Sequence, residues 1–194
     1  PLAGRGRHIV TTAIEHAAVL ESCSTLEQEG FEVARAAPSR DGLVSVDTLR
    51  EALRPDTVLV AMMAANNEVG TLQPVERIAA AARSRGVPIF TDAVQAVGRF
   101  PGEVRGLDVD FLSLSGHKLY GPKGVGALFV RRGARVAPLL LGGEHEGGRR
   151  AGTSNVPGVV GLGKACELAR TRLAADGERL RALRYRLESG IRAR

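Results

Sequence analysis

The run Ser113-Leu114-Ser115-Gly116-His117-Lys118-Leu119-Tyr120-Gly121-Pro122-Lys123-Gly124 sets a lysine amine, an imidazole and two hydroxyls on a bend punctuated by glycine. An amine at such a bend can form an imine with a carbonyl, and glycines on either side let the chain or a bulky ligand approach closely. Other residues with matching chemistry stand just past apolar runs: His16 after 8–13, Asn67 after 57–64, and Asp92 with Gln95 after 87–91. An aspartate that ends an apolar strand is poorly solvated and demands a cationic partner. His145, in the glycine-rich stretch 142–155, reads as a loop residue, and Cys23 and Cys166 read as small core hydrophobes.

These residues are positioned by an alternation of strands and helices. Residues 8–13 are rich in β-branched side chains and predict a buried strand; a helix opens at Glu15-His16, carries Val19, Leu20, Cys23 and Leu26 on one face, and stops at Gly30. Residues 31–34 alternate like a half-exposed strand, and 46–53 make a short helix capped by Ser45 or Asp47. The continuous apolar run 57–64 predicts a central parallel strand buried on both faces. Pro74 starts an alanine-rich helix over 75–85, ended by Gly86. A strand over 87–92, a short helical turn over 93–98, and strands over 108–115 and 125–131 follow. The last pair is antiparallel, because its connection is too short for a crossover helix. Residues 142–155 form a long polar loop. The chain is helical from 156, with Gly158, Gly161 and Gly163 suited to close packing, and Leu180, Leu183, Leu187 and Ile191 form the stripe of a last helix without a partner in this chain. The fold class is α/β, a mostly parallel sheet with helices on both faces.

At 194 residues and 44% hydrophobic, the chain is large enough for one substantial core. Neither a bilayer-length apolar run nor a charged-then-apolar leader stands in it, so a cytoplasmic location is expected, with no membrane partner. Two separated cysteines make neither a disulfide framework nor a zinc site, and no metal is expected. The net charge of +6 comes from arginines without aromatic interleaving; phosphate-bearing small ligands suit it as well as nucleic acid does, and most of these arginines read as a solvated face. The start at Pro1 and the finish inside a helical pattern look cut.

Open α/β sheets bind ligands at the carboxyl ends of their strands, so His16, Asn67, Asp92 with Gln95, and Ser115 with His117 and Lys118 converge on one edge. A lysine, a carboxylate, an imidazole and hydroxyl donors around one cleft are what pyridoxal 5'-phosphate needs. The markers of a nucleotide site are missing: there is no GxGxxG after a strand, and Gly121-Pro122-Lys123-Gly124 lacks the spacing of a phosphate-binding P-loop and its Ser/Thr.

Five stretches carry a resemblance. They are Thr12-Ala13-Ile14-Glu15-His16, Ala65-Asn66-Asn67-Glu68-Val69-Gly70, Thr91-Asp92-Ala93-Val94-Gln95, Ser115-Gly116-His117-Lys118-Leu119-Tyr120-Gly121-Pro122-Lys123-Gly124 and Arg149-Arg150-Ala151-Gly152-Thr153. In this order they resemble the NifS and IscS type of cysteine desulfurase, in the class V aminotransferase superfamily of pyridoxal-phosphate enzymes. The resemblance implies the large domain of a fold-type I enzyme, with 1–172 as a partial cofactor domain and 173–194 as the start of the helix leading to a small domain. It implies that Lys118 holds the cofactor as an imine and moves protons, that His16 stacks on the ring, and that Asp92 pairs with the ring nitrogen. Gln95 would contact the phenolic oxygen, Asn67 that oxygen and the substrate carboxylate, Ser115 and His117 the phosphate, and Thr153 the phosphate bound to the other subunit of a homodimer. The implied reaction converts L-cysteine to L-alanine and leaves a persulfide on an enzyme cysteine, for a sulfur-acceptor or scaffold protein in iron-sulfur cluster assembly or thiolation. Neither Cys23 nor Cys166 matches the family's nucleophile, so this stretch alone is expected to be inactive. Selenocysteine lyases and more distant class V transaminases or kynureninase-like enzymes share the same stretches to differing degrees. A basic binding module is the non-enzymatic alternative.

Overall fold

A computed structural model describes residues 2–102 and 104–193. Its organising element is a six-stranded sheet built from β1 (His8–Thr12), β2 (Glu32–Ala36), β3 (Thr57–Met63), β4 (Ile89–Asp92), β5 (Phe111–Ser115) and β6 (Gly126–Val130), in the order β2-β1-β3-β4-β5-β6. The first five strands are parallel and β6 is antiparallel to β5, as the short connection requires. β3 occupies an inner position, and six of its seven residues are buried.

Because side chains alternate along a strand, each face of the sheet has its own set. Val10, Val60, Met62, Ile89 and Leu112 point to one face and form the main core with α2 (Val46–Ala52) and α3 (Val75–Arg83), whose Leu49, Ile78, Ala79 and Ala82 are fully covered. Burying a side chain such as Ile78 contributes roughly 1.5–3 kcal/mol. Ile9, Leu59, Ala61 and Phe90 lie on the other face, where α1 (Ala17–Gln28) presents Val19, Cys23 and Leu26 and a cavity remains between helix and sheet. Helices on both faces and a mostly parallel sheet are what the alternation of elements predicts. Caps follow the sequence as well: Ser45 Oγ accepts the Thr48 N–H at 2.9 Å, and Gly30 ends α1 with φ at +86°.

Three features depart from the sequence reading. The helical stretch after 156 and the expected last helix are one element, α5 (Val156–Arg192). Nothing in the intervening residues 172–179 interrupts the hydrogen-bond ladder, since Gly177 lowers helix propensity without breaking it. A short helix, α4 (Val104–Leu107), precedes β5, which begins at Phe111 rather than 108. Of the three glycines expected to pack closely, only Gly161 does so against another element: a Cβ there would meet Pro122 Cγ at 2.5 Å. Gly158 sits over its own cap Asn155, and Gly163 has nothing within 4 Å. Among the described residues, no helix is long and apolar enough to cross a membrane.

Candidate active site

At the carboxyl ends of β1, β3, β4 and β5 lies a cavity of about 590 Å³. Seven of the eight residues singled out from the sequence line it: His16, Asn67, Asp92, Gln95, Ser115, His117 and Lys118. Thr153 does not; it is exposed on the loop before α5. Of the three lysines, Lys118 alone lines the cavity, whereas Lys123 is exposed and Lys164 is paired with Glu167 at 3.0 Å.

The lysine turn is a 3-10 segment, Gly116–Leu119, that follows β5 directly. It is held from behind by α5: Leu119, Leu162 and Ala165 form a small buried cluster with Val97 and Leu114 at its edge. Tyr120, next in the chain, takes φ +60°, in the left-handed region, before Gly121 lets the chain return. A tyrosine there costs on the order of 1–2 kcal/mol, so the surrounding packing must enforce it. Gly98, with φ at +73°, brings the turn after Asp92 against Leu119, since a Cβ would lie 2.5 Å from Leu119 Cδ2.

Three of the polar groups are pre-set by a neighbour. His16 is the N-cap of α1, and its Nδ1 accepts the Ala18 N–H at 3.1 Å, which leaves Nε2 to carry the proton of the neutral ring. Asp92 Oδ1 accepts the Val94 N–H at 2.9 Å. Asp92 forms no salt bridge among the described residues: it lines the open cavity, so Oδ2 remains available to a cationic ligand. Gln95 Oε1 accepts from Arg99 Nη1 at 2.9 Å, which orients its amide so that Nε2 serves as the donor. The same guanidinium donates through Nη2 to the Lys118 carbonyl at 3.3 Å, joining two cavity residues that are far apart in sequence.

The loop bearing Asn67 is shaped by its neighbour Asn66, whose Oδ1 accepts the N–H groups of Glu68 and Val69 at 2.9 Å and whose Nδ2 donates to the Ile14 carbonyl at 2.8 Å. That bond ties the Asn67 loop to the His16 turn. Arg99 and Asn66 escaped the sequence reading as functional residues. Arg99 had one local signal, its i+4 spacing from Gln95 on a helical turn, while the contact with Lys118 exists only in three dimensions. Cys23 lines the cavity wall, and burial pushes its thiol up, which disfavours the thiolate needed by a nucleophile.

A mostly parallel α/β sheet with a single lysine, a ligand-facing carboxylate and an imidazole at its strand ends defines the class, and the chain belongs to the aminotransferase class-V family, whose pattern matches residues 2–194. It is 51% identical over 187 residues to a protein described as cysteine desulfurase IscS from Methanosarcina thermophila, covering 96% of this chain and 46% of that one. It superposes with a TM-score of 0.95 on a solved structure described as a NifS-like protein, at 42% identity, covering 97% of this chain and 52% of the other. A structure described as SspA in complex with cysteine matches with a TM-score of 0.81 at 46% identity, over 84% of this chain and 47% of that one. The chain thus spans about half the length of the curated relatives it matches.

Proposed function

We propose that the protein carrying this chain is a pyridoxal-phosphate-dependent cysteine desulfurase, active as a homodimer. The observation that carries the reading is the cavity in which Lys118, the only lysine lining it, shares a wall with an Asp92 that has no cationic partner among the described residues. The donor set fits the cofactor: Asp92 Oδ2 is open for a protonated ring nitrogen, Gln95 Nε2 and Asn67 for the phenolic oxygen, and Ser115 and His117 for the phosphate. When bound, the group supplies an electron sink for bonds at the substrate α- and β-carbons.

The chain's own residues would then divide the work. Lys118 Nζ would attach the cofactor and move a proton to and from the substrate α-carbon. His16 would lie against the ring, Asp92 would pair with its protonated nitrogen, and Asn67 would orient the substrate carboxylate. The overall change is balanced as L-cysteine plus an enzyme thiol giving L-alanine plus an enzyme persulfide: the carbon–sulfur bond breaks, a sulfur–sulfur bond forms, and a proton ends on the β-carbon.

The thiol lies outside this chain, since Cys23 is buried at 4% exposure with its thiolate disfavoured and Cys166 packs beside the cluster behind the lysine turn. Thr153, exposed and outside its own cavity, is proposed to reach the cofactor phosphate in the partner subunit. A free acceptor thiol belongs in a reducing compartment, and the cytoplasm is the location proposed, with a sulfur-acceptor or scaffold protein as the onward partner. The large-domain role of 1–172, with the following residues leading toward a small domain, is part of the same reading.

The test is turnover by the intact protein. With pyridoxal phosphate and L-cysteine, wild type is expected to form equimolar L-alanine and persulfide, and Lys118→Ala to lower the rate at least about a thousandfold. Transamination without sulfur release, or full activity in Lys118→Ala, would contradict the proposal.

A further inference from the structure

One buried ionisable group beneath the cavity has no role in the chemistry above. Glu15 immediately precedes His16 and is only 6% exposed. Its Oε1 accepts two hydrogen bonds, from Thr12 Oγ1 at 2.6 Å and from the Met63 N–H at 2.9 Å. Its Oε2 is fully buried and has no partner among the described residues. A buried carboxylate bonded this way would leave one charged oxygen without any donor, a larger penalty than leaving a neutral acid's hydroxyl oxygen unpaired. A carboxylate would draw donors to both oxygens. Met63 is the cross-strand partner of Asp92, and the next N–H, of Ala64, donates to the Asp92 carbonyl at 2.8 Å. A bonded strap therefore runs from the turn bearing His16, across the end of β3, to the strand end bearing Asp92.

We propose that Glu15 is a positioning residue of this site, tying the His16 turn to β3 and leaving Asp92 as the one charged carboxylate at the floor of the cavity. The inference rests on the cofactor reading and extends it. The electrostatics support the geometry: burial pushes Glu15 up to about 7 and the Asp92 charge adds to this, against the bonds from Thr12 and Met63. The titratable groups that face it are Asp92 from β4 and Cys23 from α1, and no lysine or arginine bonds to it among the described residues. An ionised Glu15 would place a second negative charge near Asp92, and among the described residues no lysine or arginine pairs with Glu15 to offset it. The neutral acid keeps the strap without that repulsion. The sign of the pH dependence follows. The folded chain holds this proton up to about 7 and the unfolded chain only to about 4.5, so the stability Glu15 contributes is complete below 4.5 and is lost as pH rises through 7.

The test compares wild type, Glu15→Gln and Glu15→Ala in the intact protein. With pyridoxal phosphate bound, and at a temperature where all three are folded by circular dichroism, the pH midpoint of the cofactor's visible absorbance change is recorded. The expected result is a midpoint shifted by about half a pH unit or more in Glu15→Ala and restored to within about 0.2 in Glu15→Gln, because the amide reproduces the neutral acid's acceptor. Without cofactor, the melting temperature of wild type is expected to fall relative to that of Glu15→Gln between about pH 6 and about pH 8. Glu15→Ala with an unshifted midpoint, whatever its melting temperature, would overturn the positioning role, and a flat melting difference would overturn the neutral carboxyl. Failure of wild type to develop the cofactor band would overturn the cofactor reading together with this inference, whereas a normal wild-type band with an unshifted alanine variant would overturn this inference alone.

Discussion

Single side chains in this site are set by partners that a strand-end count does not reveal. Asp92, Gln95 and Lys118 were legible in the sequence because each follows an apolar run that ends abruptly. The group that joins two of them, Arg99, was not, because its second contact is the Lys118 carbonyl nineteen residues further on. Removing it leaves the Gln95 amide free to rotate. Arg99→Ala in the intact protein is therefore expected to weaken pyridoxal phosphate binding about fivefold, on the order of 1 kcal/mol, with the fold retained, as measured by fluorescence titration. Glu15 shows a second limit: its burial could not be inferred from a turn motif, since the donor that fixes it is a backbone N–H on β3. With the folded carboxyl at about 7 against 4.5 when unfolded, the pH-dependent part of its stability contribution is roughly 3 kcal/mol.

At the scale of elements, the strands were the most readable part, because a run such as Thr57-Val58-Leu59-Val60-Ala61-Met62-Met63 has one stable place, inside a sheet covered on both faces. Helix ends and helix continuity were less so. Residues 172–179 carry no apolar periodicity, and nothing in them distinguishes a linker from an exposed stretch of one long helix, which α5 proves to be. The contact that matters for the site is the packing of α5 on the lysine turn through Gly161, where even one added carbon would lie 2.5 Å from Pro122 Cγ. Gly161→Val is expected to push the helix off that turn, lowering stability by about 1–3 kcal/mol in urea unfolding of the intact protein. Because the Leu119, Leu162 and Ala165 cluster is the support behind Lys118, cofactor affinity should fall with it.

For the molecule as a whole, the chain covers about half of its curated relatives' length, and its surface is consistent with further covering partners. Leu180, Leu183, Leu187 and Ile191 of α5, and Leu139 and Leu141 ahead of the glycine-rich loop, are all exposed. The cofactor chemistry proposed for the site lies within this half, since every side chain assigned to it except Thr153 lines one cavity. The proposed reaction assigns its sulfur-accepting thiol outside it. The central claim is thus the attachment of the cofactor, and borohydride reduction of the intact protein loaded with pyridoxal phosphate, followed by peptide mapping, tests it most directly. A single pyridoxyl tag on Lys118 is the predicted result, and a tag on Lys123 or Lys164, or none at all, would contradict it.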